Sequence, residues 1–137
     1  MINDRGFPPD SPDSIVTPKN AIMLAERKAA LHKAGVYMYL LAWESPAFGG
    51  RLGAAHGTDI PLVFHNVGAI TGTGPEAYAM ADKLAGVWVA FARTGDPNHP
   101  GISRWPVYTT EVRATMIFDI KCRVENDPGG ELRALWL

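Results

Sequence analysis

Apolar residues are sparse in the opening stretch to Ile15, which is rich in Pro, Asp and Ser and predicts a loose lead-in over residues 1–16. Thr17 then offers a helix cap with Pro18 at the first helical position. The run Lys19 to Ala34, rich in Ala, Leu, Lys and Glu, predicts a helix that Gly35 stops. The next residues, Val36 to Trp43, are apolar or aromatic at nearly every position. A run without alternation suits a strand buried on both faces of a sheet, with helices covering it.

From Glu44 to Gly57 the chain turns to Ser, Pro, Gly and small residues, which predicts an exposed loop leading away from the end of that strand. Thr58 to Phe64 predicts a short helical turn, and the glycine-rich stretch His65 to Gly74 a loop. A second long helix is predicted from Pro75 to Thr94. Its Ala77, Ala81, Leu84, Trp88 and Phe91, joined by Tyr78, Ala85 and Ala92, recur at helical spacing, and Gly95 supplies the left-handed stop. Asp96-Pro97-Asn98 is turn chemistry, because a residue before proline is pushed out of helical space. Ala114 to Ile120 predicts a strand and Lys121 to Glu125 its partner; Gly129-Gly130 then breaks the chain before a helix start at Glu131. Helices around a buried strand with a trailing hairpin give an α/β fold class.

Composition narrows this picture. At 137 residues the chain holds one domain, and 47% hydrophobic against 20% charged residues marks a sequence that folds. Thirteen basic against fourteen acidic residues leave a net charge of -1, no field for nucleic acid or an anionic membrane. The single Cys122 cannot form an intramolecular disulfide, and beside a predicted strand it reads as an inert thiol. The N-terminal residues carry no basic stretch leading into an apolar core, and no apolar run is long enough to span a bilayer. Localisation stays unassigned, and nothing in the sequence asks for a cofactor.

Among the titratable residues His56 is the most suggestive, because it lies in a Gly/Ala-rich loop just beyond the predicted buried strand. Beyond the carboxyl ends of open α/β sheets is where ligands and catalytic groups gather, and an imidazole moves protons near neutral pH. Position alone favours a surface or hydrogen-bonded structural histidine. His56 and Asp59 with His65 lack the spacing of a recognised zinc site. His65 reads as a surface histidine, and His32 and His99 read as solvent-facing. Trp88 and Phe91 could wall a substrate, but their helical spacing favours core packing.

A resemblance adds weight to His56. The segment Gly53-Ala54-Ala55-His56-Gly57-Thr58-Asp59-Ile60-Pro61-Leu62-Val63-Phe64 resembles the catalytic-histidine motif of type-B carboxylesterases. Trp88-Val89-Ala90-Phe91-Ala92-Arg93-Thr94-Gly95-Asp96-Pro97-Asn98 resembles that family's Trp-x-x-Phe-Ala-x-x-Gly-Asp-Pro-Asn signature, and Trp105-Pro106-Val107-Tyr108 its Trp-Pro-x-Tyr. Met116-Ile117-Phe118 falls where its next strand begins. The resemblance runs from about Val36 to Ile120 with the motifs in order. It implies the C-terminal portion of an α/β-hydrolase fold over residues 17–137, with His56 as the triad histidine. Asp59 stands where Glu is the commoner family choice, with a structural hydrogen-bonding part implied, and Leu62 replaces an aromatic.

The larger departure is the missing nucleophile. The family's serine sits in Gly-x-Ser-x-Gly on a strand-to-helix turn, and Ser11, Ser14, Ser45 and Ser103 lack those flanks. The oxyanion loop and the acid that orients the histidine lie upstream in the family and are not found here. The resemblance therefore implies part of a serine carboxylic-ester hydrolase in which His56 is general base and acid, acting on a small-molecule ester with a missing N-terminal esterase portion as partner. The chain alone is expected to be inactive. A non-catalytic cholinesterase-like binding or adhesion module is the alternative, and a complete protein of unrelated role a third.

Overall fold

A computed structural model describes residues 12–135 of the chain. The elements run α1 (Pro12–Ala29), β1 (Met38–Leu41), a 3-10 turn (Ala47–Gly50), α2 (Asp59–Val63), α3 (Pro75–Thr94), β2 (Ala114–Phe118), β3 (Arg123–Asn126) and α4 (Gly130–Ala134). The α/β class, the second long helix and the trailing hairpin are as the sequence predicts. Residues 1–11 of the predicted lead-in lie outside the described residues, but residues 12–16 are helical. Pro12, like Pro18, is a residue without an N–H to satisfy in a first turn, and the helix begins there instead. The helix also stops at Ala29, before Ala34. The i→i−3 bonds from Leu31 to Lys28 and from His32 to Ala29 tighten the chain, and His32 takes a positive φ of 49° that no helix continues through.

The sheet has the order β1-β2-β3, with β1 parallel to β2 and β2 antiparallel to β3. Met38 pairs with Thr115 and Leu41 with Phe118, so the connection between the first two strands carries α2 and α3. The fully buried strand is β2, where Ala114 to Phe118 are all inaccessible; Val36–Trp43, expected to be buried on both faces, contributes only the short β1 at the edge, where Leu40 alone is buried. A strand with one neighbour keeps one side open, whatever its composition.

Helix α3 and the sheet enclose the main core, in which Leu62, Leu84, Met80, Met116, Trp105 and Phe118 are buried. On the other face Ala25 of α1 meets Val36 and Tyr108. The buried stripe of α3 is Ala77, Met80, Ala81, Leu84 and Val87. This is rotated from the expected one: Tyr78 and Ala92 are exposed and Phe91 is 43% exposed, touching Tyr37 edge-on. Trp88 does pack on the core as expected.

The Gly95-Asp96-Pro97-Asn98 turn fastens the far end of α3. Gly95 holds φ 77° and its N–H bonds to Phe91. Asp96 Oδ1 accepts from the Asn98 backbone at 2.9 Å and its amide at 2.6 Å, and these bonds hold the Asp96 carboxyl below its ordinary value. The Asn98 side chain then copies a strand partner: its Nδ2 donates to the Trp105 carbonyl at 2.9 Å and its Oδ1 accepts from the Trp105 N–H at 2.7 Å. Asn98→Ala leaves both backbone groups of a nearly buried residue unpaired and is expected to lower stability by about 1–3 kcal/mol in urea unfolding. A loss below a few tenths would show water replacing the amide at no cost.

Candidate active site

The loop after β1 is built from buried anchors with exposed crests. The Ser45 N–H bonds to the Gly53 carbonyl at 3.1 Å, which folds residues 45–53 back on themselves. Phe48, Gly49, Gly50 and Gly53 all take positive φ, so the reversal is concentrated in a few residues, Phe48 among them without glycine's freedom. Ser45 is fully buried; its hydroxyl donates to the Ile70 carbonyl at 2.7 Å and accepts from the Ala47 N–H. The expected open loop of Glu44 to Gly57 is therefore partly pinned, and Ser45 is spent on holding it. Ser103, the other serine whose side chain is described, donates to the Cys122 carbonyl at 2.8 Å.

His56 sits on a crest between two anchors, Ala54 (4% exposed) and Thr58 (1%). It is itself exposed, and its ring makes no hydrogen bond among the described residues. Gly57 follows with φ 83° and open space where a Cβ would stand, so its need is conformational and not steric. Position and freedom together leave both imidazole nitrogens available beyond the carboxyl end of a parallel strand, able to take a proton from one group while held by another. In the same stretch Phe48, Ile60 and Phe64 also stand out to solvent.

Asp59 opens α2 and accepts a 2.6 Å hydrogen bond from the Tyr39 hydroxyl of β1. The Tyr39 ring meets Trp88 and Phe118 edge-on at 5.2 and 5.9 Å. This chain of contacts ties the histidine loop to the strand and to α3. Its sequence signal was absent, because a tyrosine in an apolar run does not announce which distant carboxylate it will meet. Burial first, then the bond to Asp59, raises the Tyr39 phenol well above its ordinary 10.0. The neutral phenol is favoured on folding, so its stabilisation is complete below pH 10 and is lost as pH rises above that value. Tyr37 and Tyr108 shift the same way, chiefly by burial. Tyr39→Phe is thus expected to make the alkaline fall in stability shallower without abolishing it, as read by melts between pH 8 and 11; an unchanged slope would detach Tyr39 from that fall.

The other histidines are placed clearly. His65 Nε2 lies 2.8 Å from Asp82 Oδ1 in an exposed pair, and His32 is exposed. His99, expected to face solvent, is instead seated on α3: Nε2 lies 3.1 Å from the Lys83 carbonyl and Nδ1 accepts from the Gly101 N–H. A Cβ on Gly86 would come within 2.9 Å of that ring, so the helix glycine makes the seat. No three potential metal ligands come together among the described residues, and His56, Asp59 and His65 are not joined as a site. Cys122 is buried and free. No helix among the described residues is long and apolar enough to cross a membrane.

A family model described as the carboxylesterase family matches residues 14–136. The para-nitrobenzyl esterase of Bacillus subtilis is 31% identical over 117 residues, covering 80% of this chain and 23% of the relative. The human bile salt-activated lipase is 35% identical over 96 residues, 66% of this chain and 13% of the lipase. Among solved structures, an esterase from Clostridium hathewayi that can hydrolyse aliphatic aromatic polyesters superposes with TM-score 0.77 at 32% identity, over 97% of this chain and 28% of that one. A carboxylesterase of Geobacillus stearothermophilus gives 0.70 at 38% identity, over 85% of this chain and 25% of that one. The chain spans between 13% and 28% of the length of these relatives.

Proposed function

Because the chain belongs to the carboxylesterase family and folds as a portion of an α/β hydrolase, we propose that it supplies the triad histidine, His56, to a serine carboxylic-ester hydrolase whose nucleophile lies on an N-terminal esterase portion. The observation that supports this reading is the exposed, hydrogen-bond-free imidazole of His56, on the loop that follows β1 and between the buried Ala54 and Thr58. In that enzyme His56 takes the proton of the serine hydroxyl as it attacks the ester carbonyl and returns it to the departing alcohol. Tyr39, through Asp59, keeps the loop that bears it in place.

The chain alone has the base without the nucleophile. Ser45 is buried and committed to backbone bonds, and Ser103 is bonded to the Cys122 carbonyl, so neither described hydroxyl suits attack. The purified chain should give no hydrolysis of a short-chain para-nitrophenyl ester above buffer. Mixed with, or fused behind, the portion of the Bacillus subtilis para-nitrobenzyl esterase that precedes its matched region, it should restore turnover. Saturable hydrolysis by the chain alone, lost in His56→Ala, would overturn the division of labour; no turnover from any folded assembly would favour a non-catalytic role.

A further inference from the structure

We infer that the free edge of β3 is a self-recognition surface, at which a second copy of this chain pairs antiparallel about Val124. The phase of the hairpin decides which groups that edge offers. Ala114 lies opposite Asn126 and Ile117 opposite Arg123, and the Asp127 N–H bonds to the Arg113 carbonyl. Hydrogen-bonded and non-hydrogen-bonded pairs alternate along an antiparallel ladder, so Arg123 and Glu125 spend their N–H and C=O groups on β2. The same phase turns the Phe118 carbonyl to β1, where it accepts from the Ala42 N–H. Val124 and Asn126 aim their groups outward, where β3 has no strand neighbour among the described residues. Unpaired groups on an edge are a template for another strand.

Charged side chains ordinarily keep strangers off such an edge, and here they stand in a particular order. From Lys121 to Asp127 every second residue is ionised: the bases Lys121 and Arg123, then the acids Glu125 and Asp127, with Val124 at the centre. Alternate residues of a strand share a face, so Arg123 and Glu125 lie on one side of β3. They pair with each other at 2.7 Å, yet their side chains stay 50% and 41% exposed. Val124, on the opposite face, packs against the main core.

This order selects both the occupant and its register. A copy turned end for end about Val124 sets Arg123 opposite the partner's Glu125, twice by symmetry, with Lys121 toward the partner's Asp127. Facing Val124 to the partner's Asn126 instead sets Glu125 against the partner's Glu125, and facing it to the partner's Cys122 sets Arg123 against the partner's Arg123. Centring on Asn126 opposes Glu125 to the partner's Asp127, and a parallel copy in register opposes like to like throughout. Opposite charges directly across a ladder stabilise it and like charges destabilise it, so one arrangement is favoured. In that arrangement Asn126 meets the partner's Cys122, and in each copy the Cys122 carbonyl already accepts from the Ser103 hydroxyl at 2.8 Å. The ladder is therefore short and the dimer weak. His56 follows β1, at the other side of the sheet, so the joint leaves both imidazoles clear.

Sedimentation equilibrium of the whole chain at rising concentration tests the joint through its charge order. The native chain should pass from monomer to dimer. Arg123→Glu sets acid against acid at both symmetric places and Glu125→Arg sets base against base, so each should weaken the dimer at least about tenfold while circular dichroism stays unchanged. An equimolar mixture of the two variants again opposes acid to base and should regain a dimer as a mixed pair. A chain carrying both substitutions should dimerise about as the native one does, and Leu24→Glu, at an exposed position on α1, should leave the equilibrium as it is. A native chain that stays monomeric at every concentration would overturn the inference. So would association that neither reversal weakens, or a loss that neither the mixture nor the doubly substituted chain restores.

Discussion

His56→Ala should abolish measurable turnover in an esterase assembled from this chain and a family front portion, a loss of roughly three or more powers of ten, while His65→Ala leaves most of it. The two histidines are near each other in sequence and both are exposed, so the contrast tests position and not chemistry in general. His65 Nε2 is taken up by Asp82 on α3, whereas the ring of His56 is unengaged. A general base must come within hydrogen-bond reach of the hydroxyl it activates, and only an unengaged ring at the loop crest can do so without breaking a contact first. The decisive reading is kcat per folded active site. Comparable losses from the two substitutions, or a larger one from His65→Ala, would show that the base has been placed wrongly.

Phe118→Ala should lower stability by about 3–5 kcal/mol. Phe118 is fully buried at the end of the central strand, meets Tyr39 and Trp105 edge-on at 5.9 and 5.8 Å, and belongs to the cluster under α3. A cavity left among such packed neighbours adds its own cost to the lost burial. Domains hold only about 5–15 kcal/mol in total, and such a loss would leave a substantial unfolded fraction at ambient temperature. Ile120→Ala, two residues on at a position 79% exposed, should cost under about 0.5 kcal/mol. Equal urea midpoints for the two variants would mean that the Phe118 environment is loosely packed.

What the sequence disclosed follows from how local each determinant is. Helix α3 is bounded as expected at Pro75 and Thr94, because a first-turn proline and a left-handed glycine act on their own neighbours. The turn at Asp96 to Asn98 was legible for the same reason. The burial of β1 was not, since an apolar run states what a strand tolerates and not how many partners it finds. The buried stripe of α3 came out rotated because Phe91 and Tyr78 fit the spacing as well as Met80 and Val87 do, and only the facing sheet decides among them. His56 was singled out through its motif and its place after a predicted strand, and the catalytic part given to it is a proposal. The seat of His99 on Gly86 and the tie from Tyr39 to Asp59 join residues far apart in the chain, and neither leaves a periodic trace.

The parallel pairing of Met38–Leu41 with Thr115–Phe118 also sets a timetable. During synthesis, at about 5–20 residues per second, β1 emerges several seconds before the strand that completes it. Throughout that interval the segments for α2 and α3 appear between them and Val36 to Trp43 lacks the β2 ladder. Closing so long a connection is entropically slow, and contacts this distant in the chain form late. The stretch most dependent on its neighbours is thus the one that waits longest for them, which makes the period before residue 118 appears the point at which a chaperone, or a wrong strand, has its opportunity.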